Sequence, residues 1–164
     1  MNQLTAYYCI VQYRHDLSNP NAVNIGVLLF CPENGFLDAK LTADAHSEAQ
    51  FFSDSELDLE WIATSKQALL NRLKHDRPYF QTVKDIEDFA ARRANEIRIT
   101  PPKPLSSIDL ESELDRLFEN AVTDSLAQCR TWSPQAAINH ASTPIESTQF
   151  IPAINTREEA HSHR

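Results

Sequence analysis

Glycine is almost missing from this chain: 164 residues contain two, Gly26 and Gly35. A phosphate cradle or dinucleotide turn holds several backbone N–H groups against phosphate and needs glycine at several positions, so the usual nucleotide-binding loops cannot be built. Cysteine is scarce as well. Cys9, Cys31 and Cys129 are odd in number, widely spaced and without a C-x-x-C pair, which excludes a disulfide framework and the common zinc motifs and predicts buried free thiols. No apolar run approaches the roughly 18 residues of a membrane-spanning helix, the longest being Ile25 to Cys31. The opening MNQLTAYYC lacks the basic-then-apolar order of a secretory signal, so a cytoplasmic location is expected. Neither a G-x-S-x-G elbow nor an H-E-x-x-H helix occurs.

Positive charge is also in deficit. Fifteen Lys and Arg against 23 Asp and Glu give a net charge of −8, and phosphate backbones are bound chiefly by neutralising them with cations, so nucleic acid is not the expected partner. A local basic patch would have to come from Lys66, Arg72, Lys74, Arg77, Lys84, Arg92, Arg93 and Arg98. Acids are interleaved with them, the pattern of a solvated helix face.

What remains is an ordinary globular composition, 41% hydrophobic and 23% charged. We read one domain over residues 1–126 and a poorly ordered tail over 127–164, because the stretch after Arg130 is dense in Ser, Thr, Pro and Asn and shows no sustained period. His161 and His163 in that tail lack fixed partners for a metal, and no metal or cofactor is expected. Aromatic and β-branched residues from Ala6 to Arg14 predict a strand, HDLSNPN a hairpin loop, Val23 to Phe30 the returning strand, PENG a second turn and Phe36 to Leu41 a third strand.

After Ala43 the period lengthens. Ser53 with Glu56 reads as a capping box opening a helix lined by Leu57, Trp61, Ile62, Leu69 and Leu73 and ended by Arg77-Pro78. Val83, Ile86, Phe89, Ala90, Ala94 and Ile97 repeat the pattern in a second helix. IRITPPKPL suits an edge strand leaving the sheet. A third helix, capped by Ser106 or Ser107, carries Leu110, Leu114, Leu117, Phe118, Ala121 and Val122 as its stripe. The order predicts an α+β fold: an antiparallel sheet, made of an N-terminal three-strand meander plus a later edge strand, with about three helices packed on one face.

Within the second strand Asn24 and Gly26 stand out. Residues two apart share a face, so Asn24, Gly26, Leu28 and Phe30 should point one way and Val23, Ile25, Val27 and Leu29 the other. Gly26 reads as a close approach by another backbone or by the ring of Tyr8 or Tyr13, with a bulge as one way to make it. Asn24 has an amide to satisfy, most simply against the hairpin loop. Asn24, Gly26 and Gly35 are thus expected to be structural. The competing reading is a polar binding pocket of Tyr13, Arg14, Asp16 and Asn24. Asp16, Glu33 and Asp38 lie near strand ends where a metal nuclease could place ligands, and His15 has a pKa suited to a general base, but turn polarity explains all four.

Tyr8 to Asp16, in the form Y-x-I-V-x-Y-x-x-D, and Val23 to Leu37, in the form V-N-I-G-V-L-L-F-x-P-x-x-G-F-L, resemble the N-terminal signature of a bacterial family of unknown function, numbered three-zero-three-seven among such domains. Ile97 to Val122, with I-x-I-x-P-P-x-P-L and E-L-D-R-L-F-E, resembles its C-terminal block, so the likeness covers about residues 5 to 123. It implies a small cytoplasmic prokaryotic protein, commonly encoded beside a kinase-like protein of the toxin class. Members tend to carry Glu three positions before the Asn of the N-x-G core, where this chain has Asn21. An acidic surface without a motif-bearing cleft favours a protein-interaction or accessory module, with the kinase-like protein as partner and the third helix and tail as contact region. The alternative is an enzyme acting on nucleic acid or nucleotides through the pocket near the N-terminal hairpin.

Overall fold

Alternation along LTAYYCIVQY produces the strand around which everything else is arranged. In a computed structural model, which describes residues 2–16, 18, 21–43, 45–52, 57–93 and 95–131, β1 (Leu4–Tyr13) pairs antiparallel with β2 (Val23–Cys31), and β2 with β3 (Phe36–Leu41). Between β2 and β3, Gly35 sits at φ 71°, a left-handed conformation that glycine adopts without strain, and Asn34 Oδ1 accepts the Phe36 N–H at 3.0 Å. The described elements, but for the final residue of the last helix, belong to a compact unit spanning Met1–Arg130.

The other side of β1 is shared by two short strands, β4 (Ile97–Ile99) and β5 (Lys103–Ser107), both antiparallel to it. The expected edge strand therefore does not leave the sheet. Pro101-Pro102 cannot donate to the ladder, so pairing breaks there and resumes at Lys103. Thr100 bridges the gap: its N–H donates to Ile10 O at 2.9 Å and its Oγ1 accepts the Ile10 N–H at 2.8 Å. The sheet order is β3-β2-β1-β4, with β5 also on β1, and the fold is α+β.

Among the described residues there are four α-helices, one more than expected. The extra one is α1 (His46–Phe52). The longer α2 (Leu59–Asp76) is capped by Asp58, whose carboxylate accepts the Trp61 N–H at 2.9 Å, while the expected capping box of Ser53 and Glu56 lies outside the described residues. A 3₁₀ turn at Arg77–Tyr79, with Pro78 inside it, ends α2 as predicted. In α3 (Val83–Ala91) Asp85 Oδ2 reaches back to accept the N–H groups of Thr82 at 2.7 Å and Gln81 at 3.0 Å. Ala94 is not among the described residues, and Ile97 belongs to β4 rather than to this helix.

Asp109, not Ser106 or Ser107, caps α4 (Leu110–Thr131), accepting from Ser112 N at 3.2 Å. Ser107 supports that cap from upstream, its Oγ accepting the Asp109 N–H at 3.1 Å. The helix continues to Thr131, past the boundary expected at residue 126.

The helices do not share one face. Cys9, Val11, Tyr13, Ile25, Leu28 and Phe30 pack with Ile62, Leu69, Leu73 and Ile86 of α2 and α3 in one core. On the opposite face Ala6, Val27, Leu29 and Cys31 pack with Leu110, Leu114 and Ala121 of α4. A helical stripe demands only an apolar partner, and β2 offers one on each side. Among the described residues no helix is long and apolar enough to cross a membrane.

Candidate functional site

The β1–β2 hairpin carries a bulge that reorganises the predicted site. Val11 pairs with Gly26 and Gln12 with Asn24, leaving Ile25 as the extra residue. The insertion shifts the alternation by one position. Val23 and Ile25 therefore join Leu28 and Phe30 in the core beneath α2 and α3, whereas a straight strand would have put them opposite. Asn24 is turned toward α4. Its Nδ2 donates to Ala121 O at 3.1 Å, its backbone N–H to Ser125 Oγ at 2.8 Å, and its Oδ1 accepts from Gln12 Nε2 at 3.0 Å. The amide is satisfied by helix and partner strand, not by the hairpin loop as expected.

Gly26 makes the close approach expected of it, to the backbone of β3 and not to a tyrosine ring. A Cβ there would fall within van der Waals contact of Lys40 O and lie 2.9 Å from Leu41 Cα. Strand β3 can run beside the bulge only because nothing projects from residue 26. The Thr42 N–H then continues the pairing, donating to Ile25 O at 2.7 Å.

The four residues of the sequence-derived pocket do not converge. Tyr13 is buried in the α2–α3 core with its ring edge-on to Phe52 at 5.8 Å. Burial, followed by the negative charges of Glu96, Glu48 and Asp58, pushes its hydroxyl up to about 12. Asn24 faces the other side of the sheet. Asp16 is exposed and turned on itself, its Oδ1 accepting from Ser18 Oγ at 2.6 Å and Ser18 N at 2.8 Å, and those bonds hold its carboxyl below the usual range. Arg14 lines a cleft of about 600 Å³ beside β4, while Asn24 lines a different one of about 550 Å³ against α4.

Glu33 accepts the Thr5 N–H at 3.1 Å, Asp38 accepts the Ala39 N–H at 2.8 Å, and the His15 ring lies 6.0 Å from that of Phe52. Among the described residues no three His, Cys, Asp or Glu side chains come together as a metal site. Cys9 and Cys31 are buried free thiols, and burial pushes Cys9 up to about 12.

Two features escaped the sequence. Glu48 of α1 and Lys66 of α2 form a buried ion pair, 0% and 4% exposed, and Lys66 Nζ also donates to Thr42 Oγ1 at 2.7 Å. A lysine spaced four residues from Ile62 on the inward face was the available signal, since Ile62, Lys66, Leu69 and Leu73 form one stripe. Trp61, expected in that stripe, is 57% exposed. Its indole N–H donates to Glu96 Oε2 at 3.0 Å, and it stands on a groove of about 1050 Å³ between α2 and α3.

Along this groove the acids already have partners. Asp76 accepts from His75 and Arg72, which hold it below the usual carboxylate range; Asp85 is lowered by the Thr82 and Gln81 N–H groups it caps; Asp88 pairs with Lys84 at 3.6 Å. The Arg93 guanidinium lies 4.9 Å from the Phe89 ring centre and forms no ion pair among the described residues. Burial, and then the charge of Arg72, makes its proton easier to lose.

No curated protein and no solved structure matches the chain. The family model described as a protein of unknown function (DUF3037) matches residues 8–122, reaching from β1 into α4 and spanning both sequence blocks, and the chain belongs to that family.

Proposed function

We infer that this protein is an interaction module that receives a polypeptide segment of a partner protein in the groove between α2 and α3. One observation carries this: Trp61 and Tyr79, 57% and 72% exposed, both stand on the same groove, while Phe80, Leu69 and Phe89 form its apolar wall. Tryptophan and tyrosine present large rigid contact area at little entropic cost and are enriched among residues that dominate interface energies. Charges of both signs line the groove, with Arg72, Arg92 and Arg93 facing Asp76, Asp85 and Asp88. A continuous phosphate backbone would meet three ionised carboxylates there, whereas a polypeptide of mixed charge can match both signs. The apolar stripe of α4, by contrast, is already packed on the sheet.

The partner to test is the kinase-like protein that the family resemblance implies as a genetic neighbour. Size-exclusion chromatography of the two purified proteins should show a complex that is lost when Trp61→Ala and Tyr79→Ala are combined, with the variant still unfolding cooperatively. Co-elution that survives the double substitution would place the contact elsewhere. A solitary protein that hydrolyses nucleotides, RNA or DNA with added magnesium would favour the enzyme alternative, which at present has Tyr13, Arg14, Asp16 and Asn24 dispersed rather than gathered.

A further inference from the structure

The cleft beside β4 is unusual for a chain with a net charge of −8. Three arginines line it, Arg14, Arg93 and Arg98, against one carboxylate, Glu87. They arrive from three elements. The Arg14 N–H donates to Glu96 O at 2.8 Å, which locks the end of β1 to the start of β4. Arg98 is opposite Gln12 on β4, and with Ile97 and Ile99 buried its side chain is directed away from the α2–α3 core. Arg93 follows the last turn of α3, where Phe89 supports its guanidinium face.

Surface arginines in globular proteins commonly have carboxylate neighbours, yet Arg93 and Arg98 make no ion pair among the described residues, whereas Arg72 and Arg116 do. Guanidinium forks are matched in geometry to tetrahedral and planar oxyanions.

The geometry points to a binding site for a phosphate monoester in this cleft, held by Arg93 and Arg98 with Arg14 on the same wall. The two unpaired guanidinium groups match the charge of about −1.5 to −2 that a phosphate monoester carries near neutral pH, better than the single charge of a carboxylate. A nucleic-acid strand is disfavoured, because the adjoining groove that shares Arg93 and Asn95 continues onto Asp85 and Asp88. The anion is therefore a local one on a ligand that ends or turns there. The cleft shares Arg93 with the polypeptide groove but uses neither Trp61 nor Tyr79, and Arg98 lines only the cleft, so loss of partner binding in the Trp61/Tyr79 variant and loss of phosphate binding in the Arg98 variant are separate outcomes.

The full chain is titrated at low salt with inorganic phosphate, adenosine monophosphate and a phosphoserine peptide, followed by phosphorus NMR and calorimetry. All three should bind saturably. Arg98→Gln and Arg93→Gln should each weaken binding about tenfold, the loss expected for one charge-assisted hydrogen bond, and Glu87→Gln should tighten it. Tighter binding of adenosine monophosphate than of the peptide assigns the phosphate to a small molecule, and the reverse assigns it to a protein segment; either outcome supports the site. Equal binding of the unphosphorylated peptide carrying aspartate, or phosphate binding unchanged in the folded Arg93→Gln/Arg98→Gln double variant, would overturn it. Arg98 is exposed, so its variant folds even if Arg93, packed on Phe89, proves to support α3.

Discussion

Asn24 and Gly26 do different work two residues apart, and the bulge at Ile25 is what separates their roles. Asn24 ties β2 to α4 through Ala121 O and Ser125 Oγ, and Gly26 admits the backbone of β3. Gly26→Ala should be the harsher substitution, because the obstructing atoms include Lys40 O, a backbone group that cannot swing aside. We expect a loss of about 1–3 kcal/mol or more from this overpacking, read from denaturant midpoints. Asn24→Ala should cost about 1–3 kcal/mol by stranding Gln12 and the Ala121 carbonyl, with the fold retained. If Asn24→Ala left stability untouched, the side-chain amide would contribute nothing to holding α4, which would rest on its apolar stripe and on the backbone bond from residue 24 to Ser125 Oγ. Both residues could be singled out from sequence, since an amide and a missing side chain in an apolar strand each demand a reason. Their partners could not, because Ala121 and Lys40 are distant along the chain and the bulge reverses the alternation that parity assumes.

At the level of elements, β1 to β4 and three helices were legible because each shows a sustained period or a strong turn, whereas β5 was not, since its prolines read as a strand leaving the sheet. Helix α1 was not either: HSEAQFF completes barely two turns, too few for a periodic signal, and besides Phe51 and Phe52 it docks through a charged residue, Glu48. The face on which α4 packs was equally hidden, since its stripe reads the same against either side of β2. The attachment of α1 to α2 rests on an ion pair removed from water, and breaking such a pair is far costlier than replacing it whole. Lys66→Met alone and Glu48→Leu alone should each destabilise by about 3–5 kcal/mol, whereas the two together should come close to the parent. A double-mutant cycle measured by urea unfolding checks this. Additive losses would mean that the carboxylate and ammonium do not stabilise one another. Lys66 also donates to Thr42 just beyond β3, so the cycle reports how firmly the sheet edge is joined to both helices.

For the whole molecule, the candidate clefts were the least legible feature, because Arg14 meets Arg93 and Arg98 only through the β1–β4 ladder. Burial of weak acids in the α2–α3 core has a global consequence at high pH. Cys9 and Tyr13 ordinarily ionise near 9.0 and 10.0, but in the fold burial holds both protonated up to about 12. As pH rises the unfolded chain therefore gives up these protons first, and stability falls wherever the native state binds more protons than the unfolded one. Their contribution is intact below pH 9, declines between about 9 and 12, and is gone above that window. Melting temperatures taken every half unit from pH 7 to 12 should drop steeply beyond pH 9, and Tyr13→Phe combined with Cys9→Ala should flatten the drop relative to its own pH 7 value. Growing negative charge acts on parent and variant alike, so the difference between their slopes isolates the two buried groups. Identical slopes would mean that water reaches Tyr13 and Cys9 in the folded state, and the core beneath α2 and α3 would then be looser than its packing shows.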